Sequence, residues 1–576
     1  MVKERDIRIF SRRRENELSL PASSIALIVF LFAFAERLIL TLLFWNKFGP
    51  HASQCIEIWF FCGIGQGTIE ASLTDPTVLL LSILGYVVPQ NYIYQATSLL
   101  GAALSSLIAV LLFILGKEIL CKKLGIVAAL LYAAMLSPLY YGITCFVHDS
   151  VQLPLFLGTL IAFFLSLKNT GKKRILWGIA SLFLFFLGTL VNIVIYVVLD
   201  IVAVIILWEM VRWFCRRQGI SETKVYIAFI GIIVLFAVMV RLEVLPLLLD
   251  KVLSYLPQGR TGTVDIVPMS AERVWMKYNV LLFFLPFGIW RSLKRKDNLS
   301  FTLFLVSLLV ATLIERGSRL FDFGVALVVA HGFIGWRRKE SLLFPLSFLI
   351  IVVYLVLAAS PFFDFRYFSY ETVLMAVASS RILSGIIVYI ILCLLFLLLL
   401  SFVEEKKAIS IVLLIFTLLG MWVTYAKFFP DQFASFGTTE AEYDAYLFLS
   451  EKDRGPIYVF WDHAYFAQSV SGLLSVSNAE YIDSKAEEMM LSGEKEAAAY
   501  FSQEGVKYVV ITTRDANIYL SKISWQKDFR ETLFFQLMQE PQSLSHFHQI
   551  FLEVDKKTGI VVKVFEVSKL LLYSLQ

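Results

Sequence analysis

The sequence is poor in charged residues, and this shortage excludes whole classes of protein. Only 17% of its 576 residues are Asp, Glu, Lys or Arg, whereas 58% are hydrophobic and the mean hydropathy is +0.74. Soluble domains carry about 25% charged residues, so an ordinary soluble fold is excluded. The formal net charge of +5 does not predict a nucleic-acid partner, because the basic residues cluster between apolar runs.

Cysteine is also scarce, with six residues at positions 55, 62, 121, 145, 215 and 393. None lies in the polar C-terminal part of the chain, which excludes a disulfide framework, a cysteine zinc site and a thiol nucleophile there. Cys55 and Cys62 could pair, although their spacing alone is weak support for a disulfide.

The N-terminus lacks the pattern of a cleaved signal peptide. The start, "MVKERDIRIFSRRRENELSL", is basic, but the following apolar run is too long for a signal-peptide core and has no small-residue cleavage site. We expect residues 1–17 to form a cytoplasmic segment before the first membrane span.

Long apolar runs predict a polytopic α-helical membrane protein. Stretches such as 24–35, 99–115 and 386–400 look like the cores of ~20-residue spans. About thirteen spans are predicted, beginning near residues 18, 95, 122, 150, 175, 194, 225, 278, 299, 320, 342, 383 and 409. Short loops rich in Lys and Arg place the N-terminus in the cytoplasm, and an odd number of spans places the C-terminus outside the cell membrane.

Three regions follow from this topology: the cytoplasmic segment, a membrane domain over 18–428 and an extracytoplasmic α/β domain over 429–576. The outer loop 38–94 is too polar for a clean span and should hold interfacial helices, and a second large outer loop covers 248–277. In the tail we expect a strand at 456–461, a helix from Asp462, a helix at 493–505, a strand at 507–512 and a final hairpin.

The predicted outer loops contain the polar residues from which a site could be built. They are His51, Glu57, His148, Asp149, Asp265, Arg319 and Arg366. The cytoplasmic loops hold mainly Lys and Arg. We therefore expect any reaction to take place on the outer face.

The order of these features resembles the GT-C class of membrane glycosyltransferases, and within it the catalytic subunit of oligosaccharyltransferase. Asp265 and Pro268 in "TGTVDIVPMS" are similar to an acidic motif in the large middle outer loop of that family. Arg319 in "GSRLFDFG" looks like the family's arginine at the start of a span, which meets the carrier phosphate. "FWDHAYF" is a partial match to the tail box that binds the acceptor, through Trp461 and Asp462.

Two further stretches extend the resemblance. Asp149 in "FVHDSVQLP" stands where the family has an acidic motif before a span, and Arg366 in "FFDFRYF" resembles an Arg-Tyr pair that opens a late span in related transferases. The sequence also differs from the family. His51 stands in place of an Asp in the first outer loop, Val151 at the second acidic position, and His463 and Ala464 in place of Tyr and Gly. These differences favour an acceptor other than asparagine, or an inactive relative.

The resemblance implies transfer of a sugar or oligosaccharide from a polyprenyl-phosphate or polyprenyl-pyrophosphate carrier to a glycan or polypeptide acceptor. Departure of the phosphate requires neutralisation of its charge by a divalent cation and an arginine. Asp149 and Asp265 offer oxygen ligands for Mg²⁺ or Mn²⁺, and His148 could add a nitrogen. His51 or Glu57 is the candidate base, Arg319 is the candidate for phosphate binding, and Arg366 is a further candidate for substrate binding.

Each candidate has a structural alternative. Asp149 and Asp462 could cap helices, Asp265 and His51 could be ordinary loop residues, and Arg319 could anchor a span at the lipid interface. For the whole protein, a lipid-binding or scaffold relative and a transporter are the alternatives to an enzyme. Transporters place ionisable groups at the bilayer midplane, often in repeated halves, and no such repeat is visible.

Overall fold

The computed structural model describes ten stretches of the chain and a few isolated positions between them. The stretches are residues 20–53, 57–66, 75–135, 142–191, 271–294, 298–313, 318–334, 437–477, 483–516 and 529–568. The predicted spans near 194, 225, 342, 383 and 409 lie outside these residues.

The membrane domain is helical throughout its described part. Its helices are α1 (Ala22–Phe48), α2 (Glu57–Gln66), α3 (Pro76–Val87), α4 (Ile93–Ile119), α5 (Lys122–Ala134), α6 (His148–Lys168), α7 (Gly171–Leu190), α8 (Ala271–Lys294), α9 (Asn298–Leu313) and α10 (Ser318–Ile334).

The start of every described long helix lies close to a predicted span. Seven helices begin within four residues of 18, 95, 122, 150, 175, 299 and 320, and α8 begins seven residues before 278. Four of them, α1, α4, α6 and α7, are long and apolar enough to cross a membrane. Helix α7 exposes a set of large apolar side chains, as a lipid-facing helix does: Ile175, Leu176, Ile179, Leu182, Phe183 and Phe186. The chain is a multi-pass membrane protein.

The first helix is longer than the sequence predicted. The outer loop was expected to begin at residue 38, but α1, which has 27 residues in all, continues to Phe48. The charged pair Glu36 and Arg37 does not end the helix, because both side chains are buried inside the protein. The Arg37 guanidinium donates hydrogen bonds to the Ser105 hydroxyl at 3.0 Å and to the Ala33 carbonyl at 3.0 Å. Residues 57–66 and 76–87 of the same region form the short helices α2 and α3.

Several helices meet the C-terminal domain at one end of the bundle, which we call the domain face. The segment after α1 and the start of α4 meet there, since the Tyr94 hydroxyl donates to the Ala52 carbonyl at 2.6 Å. The segment before α6 joins them, because the Ser53 hydroxyl donates to the Thr144 carbonyl at 2.7 Å. Ser53 also pairs with Thr438 of the C-terminal domain through two backbone hydrogen bonds of 2.8 and 3.2 Å.

A close backbone approach fixes the segment before α6. A Cβ added at Gly101 of α4 would overlap the carbonyl oxygen of Cys145. Gly178 is also helical, in α7, but no atom lies within 4 Å of its added Cβ. We expect Gly101→Ala to lower stability by about 1–3 kcal/mol through this clash, and Gly178→Ala to leave it unchanged or slightly higher. Thermal unfolding of both purified variants measures the difference, and equal melting temperatures would contradict this packing.

The C-terminal domain contains a four-stranded sheet in the order β1-β2-β4-β3. The strands are β1 (Ile457–Tyr458), β2 (Tyr508–Thr512), β3 (Phe547–Val554) and β4 (Val561–Val567). β1 runs parallel to β2, and the other pairs are antiparallel. The described helices of this domain are α11 (Glu440–Ser450), α12 (Ala464–Ser471), α13 (Ser484–Met490), α14 (Glu494–Gln503) and α15 (Leu533–Gln539).

These elements match the strands and helices predicted for the tail. The strand β1 is followed by a 3-10 turn at Trp461–His463 and then by α12, where the sequence predicted a strand and a helix from Asp462. The final hairpin of β3 and β4 turns at residues 555–559. Buried β2 separates two apolar layers: Tyr508 and Val510 belong to a core shared with the membrane-domain loops, whereas Val509 and Ile511 face the helices of the domain itself.

The states of Cys62 and Cys145 are defined, and Cys62 corrects the suggested pairing with Cys55. Cys62 is a buried free thiol, so it does not pair with Cys55. Cys145, in the segment before α6, is disulfide-bonded to a partner outside the described residues.

Candidate functional site

One apolar core joins the first loop, the second loop and the C-terminal domain at the domain face. Phe61 of α2 packs edge-on against Phe146 of the second loop, with ring centroids 5.0 Å apart. Trp59 stacks on Phe466 of α12 at 4.4 Å, and its indole N–H donates to the Thr438 hydroxyl at 3.1 Å. Segments far apart in sequence are therefore held together at one surface.

His51 is fixed at this junction by the C-terminal domain. Its backbone N–H donates to Glu440 Oε1 at 2.6 Å, and its ring Nδ1 lies 3.2 Å from Glu440 Oε2. The imidazole stacks in parallel on the Tyr443 ring, with centroids 3.9 Å apart. Gly49 makes this approach possible, because it has φ +113° and a Cβ there would overlap the Glu440 side chain. The remaining ring nitrogen, Nε2, is the one left for a ligand.

A cavity of about 350 Å³ lies beside this histidine. His51 and Trp59 line it from the first loop and α2, and Tyr94 from the start of α4. Tyr443 of α11 and Ser469 of α12 close the other side. Both the membrane domain and the C-terminal domain therefore contribute to one cavity.

The Glu440 carboxylate beside His51 interacts with other acidic groups. Burial raises the pKa of Asp444, and the neighbouring Glu440 carboxylate raises it further, while His51 opposes the shift. Burial also raises the pKa of Glu553, with Asp444 and Glu440 among the carboxylates that add to it.

Asp149 lies in the first turn of α6, on the domain face, and is only 3% exposed. The helix begins at His148 with Val147 in the N-cap position, and the Ser150 hydroxyl accepts a hydrogen bond from the Val147 N–H. Asp149 is therefore not the capping residue. One helical turn later, the Gln152 amide donates to the Gly188 and Val191 carbonyls, which holds this end of α6 against α7.

Trp461 and Asp462 lie in the 3-10 turn between β1 and α12 and are both partly exposed. His463, not Asp462, occupies the N-cap position of α12, so the capping alternative for Asp462 does not hold. The stretch that resembles the family's acceptor-binding box therefore lies in a strand-to-helix turn, as the sequence predicted. Neither residue lines the cavity beside His51.

His463 belongs to a buried ionic cluster behind that turn. Glu442 Oε1 lies 3.4 Å from His463 Nδ1 and 3.5 Å from Arg514 Nη1. The other oxygen, Oε2, accepts hydrogen bonds from the backbone N–H and the hydroxyl of Thr439 at 2.7 and 2.9 Å. Arg514 also donates to the Gly437 carbonyl. The cluster ties the start of α11 to both the turn before α12 and the end of β2.

Burial shifts the pKa values of His463 and of Asp515, which interacts with Glu442 and Arg514, in opposite directions. Burial lowers the pKa of His463 to about 4, with Glu442 opposing the shift and Arg514 adding to it. Burial raises the pKa of Asp515 to about 7, against the hydrogen bonds that it accepts from Thr512. The His463 contribution to stability is present above about pH 6.5 and is lost as the pH falls to about 4. The Asp515 contribution is present below about pH 3.8 and is lost as the pH rises to about 7.

The two contributions should cancel between about pH 4 and pH 6.5. We expect Asp515→Asn to become more stable as the pH rises through this window, by up to about 1.4 kcal/mol per pH unit. His463→Gln should become less stable over the same range, and the unmodified protein should change less than either variant. Thermal unfolding across the range measures the slopes, and two variants with parallel slopes would refute the assignment.

Arg319 lies in the first turn of α10, and its side chain is outside the described residues. Phe323 of α10 packs on Tyr132 near the end of α5, with ring centroids 5.4 Å apart, so the start of α10 and the end of α5 lie at the same end of the bundle. One turn after Arg319, the buried Asp322 carboxylate accepts a 2.7 Å hydrogen bond from the Tyr278 hydroxyl of α8. This contact fixes the end of α10 that carries Arg319 against α8.

The remaining predicted site residues cannot be placed in the same way. Asp265 and Arg366 lie outside the described residues, as do the side chains of Glu57 and His148. Among the residues whose side chains are described, no group of three His, Cys, Asp or Glu side chains could hold a metal ion. The predicted ligand set of Asp149, Asp265 and His148 therefore stays a prediction.

Sequence reasoning missed Glu440 and Glu442. "TTEAE" is a helix start with a capping box, Thr439 and Glu442, and this pattern predicts a helix but no partner for either glutamate. Their partners lie far away in sequence, with 389 positions between His51 and Glu440. Asp322 was missed as well, although its position three residues after Arg319 on one helix face was a usable signal.

Comparison with solved structures gives the fold. The chain aligns with the crystal structure of the apo oligosaccharyltransferase of Archaeoglobus fulgidus, at a TM-score of 0.59 and 12% identity, over 92% of this chain and 80% of the other. The fold is that of the GT-C membrane glycosyltransferases. The resemblance predicted from the sequence is confirmed at the level of fold.

Two further structures of the Archaeoglobus fulgidus oligosaccharyltransferase align over the same 92% of the chain and 79% of the other, also at 12% identity. One is the enzyme AglB in complex with an inhibitory peptide and a dolichol-phosphate, at a TM-score of 0.54. The other is a complex with Zn and sulfate, at a TM-score of 0.55. No protein-family model and no curated protein sequence matches the chain. At this identity, the GT-C fold is shown and the activity is a separate question.

Proposed function

We propose that the protein is a membrane glycosyltransferase that transfers a sugar or oligosaccharide from a polyprenyl-phosphate or polyprenyl-pyrophosphate carrier to an acceptor at the domain face. The observation that carries this proposal is the extent of the fold likeness, which covers the membrane helices and the C-terminal domain together. A structural neighbour binds a dolichol-phosphate, a carrier of this chemical type.

The domain face is proposed to lie on the non-cytoplasmic side. Loops rich in Lys and Arg follow α4, α6 and α8 at the ends away from this face, as the positive-inside rule requires of the cytoplasmic side. The disulfide at Cys145 lies on the domain face, and disulfides persist mainly outside the cytoplasm.

In the proposed reaction, an acceptor hydroxyl or amide attacks C1 of the donor sugar. The bond between C1 and the phosphate oxygen breaks, and its electron pair leaves with the carrier phosphate. The acceptor proton passes to a base, for which His51 is favoured over Glu57 because Glu440 holds its Nδ1 and leaves Nε2 for the proton. Arg319 and Arg366 are proposed to bind the phosphate.

We propose a hard divalent cation as the cofactor. Its proposed ligands are the buried Asp149 carboxylate, Asp265 and His148, because Mg²⁺ and Mn²⁺ prefer oxygen ligands and Mn²⁺ also accepts nitrogen. A bound cation would neutralise the charge that develops on the leaving phosphate. A structural neighbour was crystallised with Zn and sulfate. Trp461 and Asp462 are proposed to contact a part of the acceptor outside the cavity beside His51.

Metal removal tests the proposed cofactor. We expect transfer by the purified protein in detergent to fall at least tenfold in excess EDTA and to return with Mg²⁺ or Mn²⁺, since the proposed cation neutralises the charge that develops on the leaving phosphate. Transfer that survives chelation unchanged would show that no cation takes part.

The proposed activity is tested in cells that lack the protein. We expect a polyprenyl-linked sugar to accumulate in the membrane and one class of surface glycan to lose that sugar. Expression of the unmodified chain should restore both. An unchanged lipid-linked pool together with unchanged glycans would contradict the activity and leave the lipid-binding or scaffold alternative.

A further inference from the structure

The cavity beside His51 has no role in the donor chemistry described above. It lies between the first loop of the membrane domain and helices α11 and α12 of the C-terminal domain. Its volume of about 350 Å³ falls in the range of small-ligand pockets, ~300–1,000 Å³. Its described walls are helices and turns, so they offer no sheet edge to which an extended peptide could add a strand.

The walls combine aromatic rings with neutral hydrogen-bonding groups. The polar atoms of Trp59 and Tyr94 are used inside the protein, by Thr438 and by the Ala52 carbonyl, so these side chains offer ring surface to a ligand. Gln66 and Asn91 supply amides on the same cavity. Sugars present apolar C–H surface and hydroxyl groups on one small ring, so this lining suits a sugar.

Charge decides which kind of sugar fits. The Glu440 carboxylate lies 3.2 Å from the His51 ring, and the described residues that line the cavity include no Lys or Arg. A phosphate or a uronic acid would be repelled here, at a cost that grows as water is excluded. The carrier phosphate therefore belongs elsewhere, and a neutral or amino sugar belongs in the cavity.

We propose that this cavity is the acceptor subsite, that it binds a neutral or amino sugar ring, and that Glu440 is the positioning residue that orients His51 toward the ring's hydroxyl. The proposal rests on the proposed transferase function, of which it names the acceptor class. Glu440 keeps the Nδ1 proton of His51 in place and stabilises the imidazolium formed when Nε2 accepts the hydroxyl proton.

Binding without a donor tests the subsite independently of transfer. The full-length protein in nanodiscs is applied to an array of neutral, amino and uronic-acid oligosaccharides, with peptides printed beside them. We expect binding to neutral or amino oligosaccharides only. Binding to peptides alone, to uronic acids alone or to nothing on the array would overturn the proposal.

Matched variants locate the binding. Tyr443→Ala should weaken oligosaccharide binding at least tenfold by removing the stacked ring, whereas Tyr443→Phe, which keeps the ring, should bind within about threefold. Tyr86→Ala is the control, because Tyr86 is 94% exposed on α3 and does not line the cavity. Equal losses in Tyr443→Ala and Tyr86→Ala would place the sugar outside the cavity, and a loss in Tyr443→Phe as large as that in Tyr443→Ala would exclude stacking on the ring.

Failure of the subsite and failure of the transferase function give different results. If the protein binds oligosaccharides but shows no transfer, and cells that lack it have an unchanged lipid-linked pool, the sugar site stands and the transferase function fails. If the protein transfers sugar to a peptide but binds no oligosaccharide, the transferase function stands and the sugar site fails.

The role of Glu440 has its own readout. We expect Glu440→Gln to lower kcat at least tenfold while oligosaccharide binding stays within about threefold, and Glu440→Asp, which keeps the carboxylate, to recover part of kcat. Equal losses of kcat and binding, or no recovery in Glu440→Asp, would show a merely structural role and remove Glu440 from the mechanism.

Discussion

Asp149→Asn is expected to lower the transfer rate by about 10²–10³-fold, with little change in thermal stability. The carboxylate is buried in the first turn of α6 at the domain face and does not cap its own helix, so a capping role does not explain it. The amide keeps the size of the side chain but loses the charge that the proposed cation requires. Release of labelled sugar from a polyprenyl carrier to an acceptor, measured with purified protein, gives the rate.

Asp75→Asn is the matched control for this variant. Asp75 also lies in a domain-face loop, but its side chain accepts a 2.7 Å hydrogen bond from the Thr77 N–H and caps α3. Asn caps helices about as well as Asp, so this change should leave both activity and stability intact. An active Asp149→Asn protein, or equal losses in the two variants, would exclude catalysis through Asp149.

Glu442→Gln is expected to give the largest loss of stability, roughly 3 kcal/mol in the free energy of unfolding of the C-terminal domain. The Glu442 side chain is fully buried and faces both Arg514 and His463. Removal of its charge leaves the Arg514 guanidinium, itself only 8% exposed, without this carboxylate. Thermal unfolding and hydrogen exchange of the backbone amides in α11 and α12 measure the effect.

Glu451→Gln provides the comparison, since Glu451 is an exposed residue at the end of the same helix. Exposed single charges contribute little, so this variant should melt within about one degree of the unmodified protein. If Glu442→Gln melts at the same temperature as Glu451→Gln, the buried cluster does not hold the domain together.

The membrane helices could be predicted because their signal is local. Apolar runs of about 20 residues, separated by basic loops, placed the starts of α4, α5 and α9 within two residues of their positions. The end of α1 could not be read in this way. Whether Glu36 and Arg37 end a helix or lie buried within it depends on Ser105, a partner 68 residues from Arg37.

The strands and turns of the C-terminal domain were also visible, because β2 and the final hairpin have β-branched and aromatic runs bounded by turn residues. The candidate site was only partly visible. His51 was singled out from its place in the first loop, yet its carboxylate partner and its stacking partner come from α11, almost 400 positions away, and the cavity beside it is formed by both domains. Such contacts depend on tertiary packing, which a local pattern does not encode.

The central claim is that Asp149, Arg319 and the His51 junction serve one reaction at the domain face. An experimental structure with a bound polyprenyl-phosphate tests it most directly. The account predicts the phosphate in ion-pair contact with the Arg319 guanidinium, on the side of the bundle where the Asp149 carboxylate and His51 also face the bound headgroup. A headgroup bound elsewhere, with the Asp149 and Arg319 side chains pointing into separate regions, would contradict it.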